Sequence, residues 1–161
     1  MSDIVFERTN GSHPDFVENC RLLDIELEKK MGKEVQKDYL QYNHVLDQIH
    51  HAVIAYVNGV PAGSGALKQY DEKSIELKRV FVRPEYQMHG IGTALVSQLV
   101  MYAQELGFPK MILESGIQLK EAHHIYYKPG FERIENFGPF KGMENSLCMQ
   151  KMLGSKENGD Q

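Results

Sequence analysis

Cysteine is scarce: Cys20 and Cys148 are the only two in 161 residues. Two thiols so far apart in sequence exclude a disulfide framework and a zinc-ligand pattern, and the default compartment for such a chain is reducing. Runs of basic residues are missing, and the formal net charge is −4. Phosphate-rich partners need a basic surface, so nucleic acid is not an expected partner. No apolar run reaches membrane-spanning length, and the opening MSDIVFERTN has no apolar core of signal-peptide size. The expectation is therefore a cytoplasmic protein with no membrane partner. Internal repeats and low-complexity blocks are also absent. What remains has the length of one domain, with enough chain to bury a single core. The expected domain spans residues 1–153. The polar tail at 154–161, GSKENGDQ, has no core residue and is expected to fray.

Apolar periodicity supplies the elements. IVFER (Ile4–Arg8) alternates and predicts a first strand. Ser12 or Asp15 is the expected cap of the next helix, with Pro14 in its first turn. Phe16, Cys20, Leu23 and Leu27 recur at helical spacing, and Gly32 is the expected stop. Tyr39, Leu40, Tyr42, Val45, Leu46 and Ile49 suggest a second helix. Asn58-Gly59 between apolar runs signals a two-residue hairpin, pairing Ala52–Val57 with Val60–Tyr70. Ser74–Val82 is rich enough in β-branched and aromatic residues to be the next strand. Ile91, Leu95, Leu99, Tyr102 and Leu106 mark one face of a helix that stops near Gly107 and Pro109. Lys110–Ser115 predicts a buried strand and Lys120–Tyr127 a short helix. FERIEN and SLCMQKML are the last two strands. The order βααβββαβαββ describes a mixed α/β domain with one sheet.

One stretch raises a chemical question. QMHGIGTALV, residues 87–96, sits on the step from a strand into a helix. Amides at a helix start are unpaired within the helix and carry the positive end of its dipole. Such a turn binds phosphate without cationic side chains, and Gly90 and Gly92 remove the β-carbons that block close approach. A turn that merely packs the helix on the sheet is the alternative. Leu95 occupies the place of the third glycine in a dinucleotide fingerprint, so that reading fails. The phosphate loop G-x-x-x-x-G-K-[ST] is missing too.

The stretch VFVRPEYQMHGIGTALVSQLVMYAQELGF resembles the acyl-CoA-binding motif of the GNAT superfamily of N-acetyltransferases, with its Q/R-x-x-G-x-G/A loop. HHIYYKPGFERI resembles the motif that follows it, commonly L-Y-x-K-x-G-F. The two motifs stand in the right order and at the usual separation, and the element order matches from Ile4 to Leu153. The resemblance implies a mostly antiparallel central sheet flanked by helices, with acetyl-CoA as cosubstrate. It places Gln87, Met88, His89, Gly90, Ile91, Gly92 and Thr93 at the pyrophosphate of coenzyme A. It also places the backbone N–H groups of Val80, Phe81 and Val82 along the pantetheine arm, with Val80 at the thioester oxygen.

Acetyl transfer to an amine has three needs. A lysine-like ammonium of pKa about 10.4 must lose a proton. The thioester oxygen needs a donor as charge develops. The leaving thiolate needs a proton. The resemblance implies Glu76 as general base and Tyr126 as general acid toward the sulfur; a solvated strand residue and a half-buried core tyrosine are the plain alternatives. Neighbours on a helix point about 100° apart, so only one of Tyr126 and Tyr127 faces a cleft. Relatives often carry an asparagine near the start of the next helix. GIQLKEAHH has none, which leaves Gln118 or backbone groups in its place. Arg83 is near enough to meet a phosphate or simply exposed. The adjacent pairs His50-His51 and His123-His124 lack the i, i+4 spacing of helical metal ligands, so no metal is expected.

The acceptor is expected between the first two helices and the loop NFGPFKGMENS, whose Phe137–Phe140 segment resembles GNAT proteins acting on small or amino-acid-like amines. Glu26, Glu28, Tyr39 and Tyr42 are candidates to attract a cationic amine, or a solvated helix face. The expected function is N-acetylation of a primary amine of a small molecule by direct transfer. A non-catalytic sensor of CoA thioesters and an acyltransferase acting on a protein amine are the alternatives. Exposed sheet edges make a homodimer an expectation as well.

Overall fold

In the computed structural model, which describes residues 3–37 and 46–154, the strand periodicities combine into one seven-stranded sheet. The strands are β1 (Ile4–Thr9), β2 (His51–Val57), β3 (Val60–Gln69), β4 (Ser74–Val82), β5 (Lys110–Gly116), β6 (Glu132–Ile134) and β7 (Ser146–Met152). Their order in the sheet is β1-β2-β3-β4-β5-β7-β6. All neighbours are antiparallel except β4 and β5. The helices are α1 (Pro14–Met31), α2 opening at residues 33–37, α3 (Ile91–Glu105) and α4 (Lys120–Tyr127). The expected second-helix residues Tyr39, Leu40, Tyr42 and Val45, and the tail beyond Gly154, lie outside the described residues. No helix among the described residues is long and apolar enough to cross a membrane.

Both faces of the sheet are covered. Alternation along β2 sends Ala52 and Ile54 to Phe16 and Cys20 of α1, and Val53 and Ala55 to the larger cluster around Leu95 and Leu99 of α3. A strand buried on both faces reads as a continuous apolar run, which is what HAVIAYV is. The hairpin is as expected. Asn58 and Gly59 have φ of 51° and 79°, the left-handed pair that a tight two-residue turn requires. Two local expectations fail. Neither Ser12 nor Asp15 caps α1. His13 does, its Nδ1 accepting the Asp15 N–H at 3.1 Å. Leu106 does not continue the buried face of α3. It lies at the C-cap, exposed, while Ala103 fills the interior position.

β4 contains the irregularity that shapes the site. Ser64 pairs with Phe81 but Ala66 pairs with Lys78, so Arg79 and Val80 together oppose Gly65. Arg79 takes the left-handed conformation with φ 60°, a strain of about 1–3 kcal/mol for a non-glycine residue. Gly65 leaves room for it. A β-carbon there would meet Leu99 Cδ1 at 2.7 Å and Val80 Cγ2 at 3.2 Å. The extra residue reverses the phase of the strand. Before the bulge Ile75 and Leu77 face the α3 core, and after it Val80 and Val82 do. Lys78 and Arg79, consecutive in sequence, therefore both point toward α1.

β4 and β5 pair only from Ser74–Lys110 to Leu77–Leu113 and then separate. β5 stays with β7 as far as Gly116. The edge of β4 from Lys78 onward is thus open on one side.

Candidate active site

A cavity of about 700 Å³ fills the split between β4 and β5. It runs from the turn before α3, past Val80–Val82 and the end of β5, to Leu23 and Leu27 of α1. Gln87, Met88, Gly90, Ile91, Gly92 and Thr93 line one end. His89 is exposed and does not line it. Gly90 caps α3 with φ 80° and Ala94 N–H returns to its carbonyl. The N–H groups of Ile91, Gly92 and Thr93 have no acceptor among the described residues, as expected for a first helical turn. Gln87 Nε2 donates to Val82 O at 2.9 Å, tying the turn to the open strand. Met88 stands almost wholly free at 99% exposure.

The strand edge adds further donors. Arg83 N–H donates to Ala62 O at 2.8 Å. Alternation then turns the N–H of Phe81 toward β3 and those of Val80 and Val82 into the gap left by β5. Phe81 offers its side chain rather than its amide, on the wall facing α1. A row of free amides leading to a helix start fits an extended, amide-bearing arm ending in a diphosphate. Arg83 does not join that row: its Nε donates to Asn19 Oδ1 at 2.9 Å. Gln118 is exposed and outside the cavity.

Side chains with acid–base chemistry gather at the middle of the cavity. Tyr126 is buried against Phe131, ring centroids 5.9 Å apart, whereas Tyr127 is 48% exposed. The motif's tyrosine is the inward one of the pair. Its hydroxyl has no hydrogen-bond partner among the described residues, and burial, reinforced by the carboxyl of Glu114, pushes its pKa up. Glu76 is nearly buried on the α1 face, with Lys78 Nζ 3.3 Å from its Oε2. Lys73, a sequence neighbour, is exposed.

Glu114 is the residue that sequence reasoning passed over. It follows the last β4–β5 pair, so it projects where the strands part. Burial lifts its pKa from the usual 4.5 to about 7, against the opposing pull of a Ser146 hydroxyl at 2.8 Å and the nearby Lys78. Its signal in the sequence was the one acid at the end of an otherwise apolar strand.

The acceptor expectations divide. Glu26 lines the cavity; Glu28 is exposed and faces away; Tyr39 and Tyr42 lie outside the described residues. The loop NFGPFKGMENS contributes no lining residue. Phe140 instead packs with Cys148 in a small core, edge-on to Phe137. Both cysteines are buried and free, and burial pushes the Cys148 thiol up to about 11. Among the described residues no cluster of His, Cys, Asp and Glu is arranged to hold a metal ion.

Comparison with known proteins gives a consistent answer. The IAA acetyltransferase of Azospirillum brasilense is 31% identical over 118 residues, 69% of this chain and 77% of that protein. The uncharacterized N-acetyltransferase YedL of Escherichia coli K12 is 33% identical over 82 residues, so the match spans about half of each chain, 50% and 52%. The crystal structure of PaiA N-acetyltransferase from Thermoplasma acidophilum, in complex with coenzyme A, superposes with a TM-score of 0.71 at 18% identity, covering 93% of this chain and 99% of that one. The family description "Acetyltransferase (GNAT) family" matches residues 19–131, the stretch from α1 through the split strands to the end of the second motif, and the chain belongs to that family.

Proposed function

We propose that the protein transfers an acetyl group from acetyl-CoA directly to a primary amine of a small molecule. The observation that carries this reading is the split of β4 from β5, with free amides on one wall and Glu114 and Tyr126 on the other. Acetyl-CoA supplies the acetyl thioester. The amides of the turn at residues 88–93 hold its diphosphate, and Val80 N–H donates to the thioester oxygen as charge builds there. Two carboxyls border the place of the amine. Glu76, the base that the family resemblance implies, is engaged by Lys78 and orients it. Glu114, titrating about neutrality, takes the proton. Tyr126 gives its hydroxyl proton to the departing sulfur. Holding both substrates in one cavity removes the need for a covalent enzyme intermediate.

Acetyl-CoA at about 100 times its dissociation constant is expected to stabilise the protein by about 2.7 kcal/mol. For a chain of this size that raises Tm by roughly 5–10 °C. Differential scanning fluorimetry reads it, with acetate and adenosine as controls. No shift at millimolar acetyl-CoA ends the reading; a shift without turnover of any amine favours a thioester sensor.

Gly92→Ala measures how closely a ligand approaches the turn. A β-carbon there meets Ile125 Cγ2 at 3.5 Å, Val82 Cγ2 at 3.6 Å and Ile125 Cδ1 at 3.7 Å, ordinary contacts. Alanine also favours the helix by about 1 kcal/mol over glycine. Tm of the free protein is expected to hold or rise, and acetyl-CoA affinity to stay nearly unchanged, because the loop pattern Q/R-x-x-G-x-G/A accepts alanine at this place. A large loss of affinity in a titration would mean that the ligand comes closer to this turn than that pattern allows.

A further inference from the structure

The α1 end of the cavity has polar groups that the acyl donor does not use. Lys78 and Arg79 reach it together because of the bulge, and their side chains are 9% and 3% exposed. Lysine and arginine are rarely this sheltered unless paired, and here each has one carboxylate partner among the described residues, Glu76 and Asp24. Their described partners leave donors over. The Lys78 ammonium has three N–H groups and gives one to Glu76. Arg79 Nη2 donates to Cys20 O at 2.9 Å and to Asp24 Oδ1 at 3.0 Å, while its buried Nε meets no acceptor among the described residues. Gln36 Nε2 donates to the same Asp24 oxygen at 3.4 Å, and its buried Oε1 meets no donor among the described residues. Orphaned buried polar atoms are uncommon and unfavourable. All three residues line the cavity. A strained backbone, a re-aimed arginine and unused donors on Lys78 and Arg79 at one spot point to a ligand group that accepts from them. That group must accept from cations, and a carboxylate does so with two oxygens in one plane. On the other side of Lys78, Glu76 and Glu114 are suited to an amine.

We infer that the acceptor is an amino-acid-like molecule whose carboxylate seats on Lys78 and Arg79, with Gln36 beside it, so that its amine is delivered to Glu114. The inference rests on the acyl-transfer reading above and adds the substrate class. Lys78 and Arg79 act as specificity-determining residues: they hold the acceptor and leave the proton transfers to others.

The experiment compares matched acceptors by thiol release from acetyl-CoA. Each set holds an L-amino acid, its carboxamide, and the amine lacking the carboxyl group, for glutamate, leucine, phenylalanine and lysine side chains. Rates are taken from pH 7 to 9, which separates amine basicity from the carboxylate contact. For the best-used side chain kcat/KM is expected to favour the free acid by at least about 30-fold, mainly through KM. Lys78→Met is expected to reduce that preference about tenfold, and Lys78→Arg to keep most of it. Amides or carboxyl-free amines used as well as the acids overturn the inference, as does an undiminished preference in K78M. Acetyl-CoA binding is measured on the same samples by thermal shift. Loss of the shift in the wild type sinks the acyl-transfer reading itself. A retained shift with no carboxylate preference, or with no member of the panel acetylated, sinks only the acceptor class. A retained shift in K78M shows that the variant is folded.

Discussion

Tyr126→Phe is expected to lower kcat by about 10²–10⁴-fold while leaving the acetyl-CoA dissociation constant within about twofold. The substitution removes one oxygen and little else. The ring keeps its edge-on contact with Phe131, and no described residue loses a hydrogen-bond partner. Removing a group that leaves no orphan behind is nearly neutral for stability. Tm is therefore expected to move by less than about 2 °C, well inside what a domain of this size shows for 1 kcal/mol. The raised pKa of the phenol suits the role, because the group stays protonated through the neutral range until the thiolate leaves. Stopped thiol-release assays give kcat and a binding titration gives the affinity. A variant with wild-type kcat would return Tyr126 to the status of a core residue.

Glu114→Gln is expected to remove about 10²-fold of turnover at pH 8 and to abolish the acidic limb of the pH–rate profile. In the wild type that limb should have its midpoint near 7, because a base must be ionised and burial places this carboxyl at about 7. Stability moves the other way. The folded pKa lies above the usual 4.5, so the folded state binds the extra proton between these values. The group's contribution is fully present below about 4.5 and is lost as pH rises through about 7. Wild-type Tm should therefore fall relative to the glutamine variant between pH 4.5 and 8. Lys78, Glu76, Ser146 and Tyr126 are the groups that face Glu114 from β4, β7 and α4. If Glu76→Gln, and not Glu114→Gln, loses the acidic limb, the proton goes to Glu76.

The elements were legible in the sequence where punctuation and periodicity agreed. Ser74–Val82 and Lys120–Tyr127 have the same bounds in both. Asn58-Gly59 could be read because few residue pairs tolerate two left-handed conformations in succession. The glycine turn was readable for the same kind of reason, since Gly90 adopts a conformation that a side chain resists. The cap was missed because His13 is not among the preferred capping residues and acts through a ring nitrogen. Glu114 was missed because it sits where its own strand parts from β4, and no local pattern encodes where strands part. Arg79 had a faint signal. Ile75, Leu77, Val80 and Val82 are spaced by two, three and two, and the three is a slip in the apolar alternation that a regular strand lacks. The acceptor loop was misplaced because a likeness of short segments carries no information about which face they pack on. Phe140 went to the core.

The slip at Arg79 also bears on how this chain is aligned with others. β4 is two half-strands in opposite phase joined by one surplus residue. A relative without the surplus residue would match either half without a gap, but not both. A gap inside β4 then marks a real difference in which side chains face the cavity, although gaps within strands are usually treated as alignment errors. Position-by-position comparison across this point is meaningful only after the two halves are registered separately. Residues that fill equivalent places in the core then carry sequence offsets that differ by one.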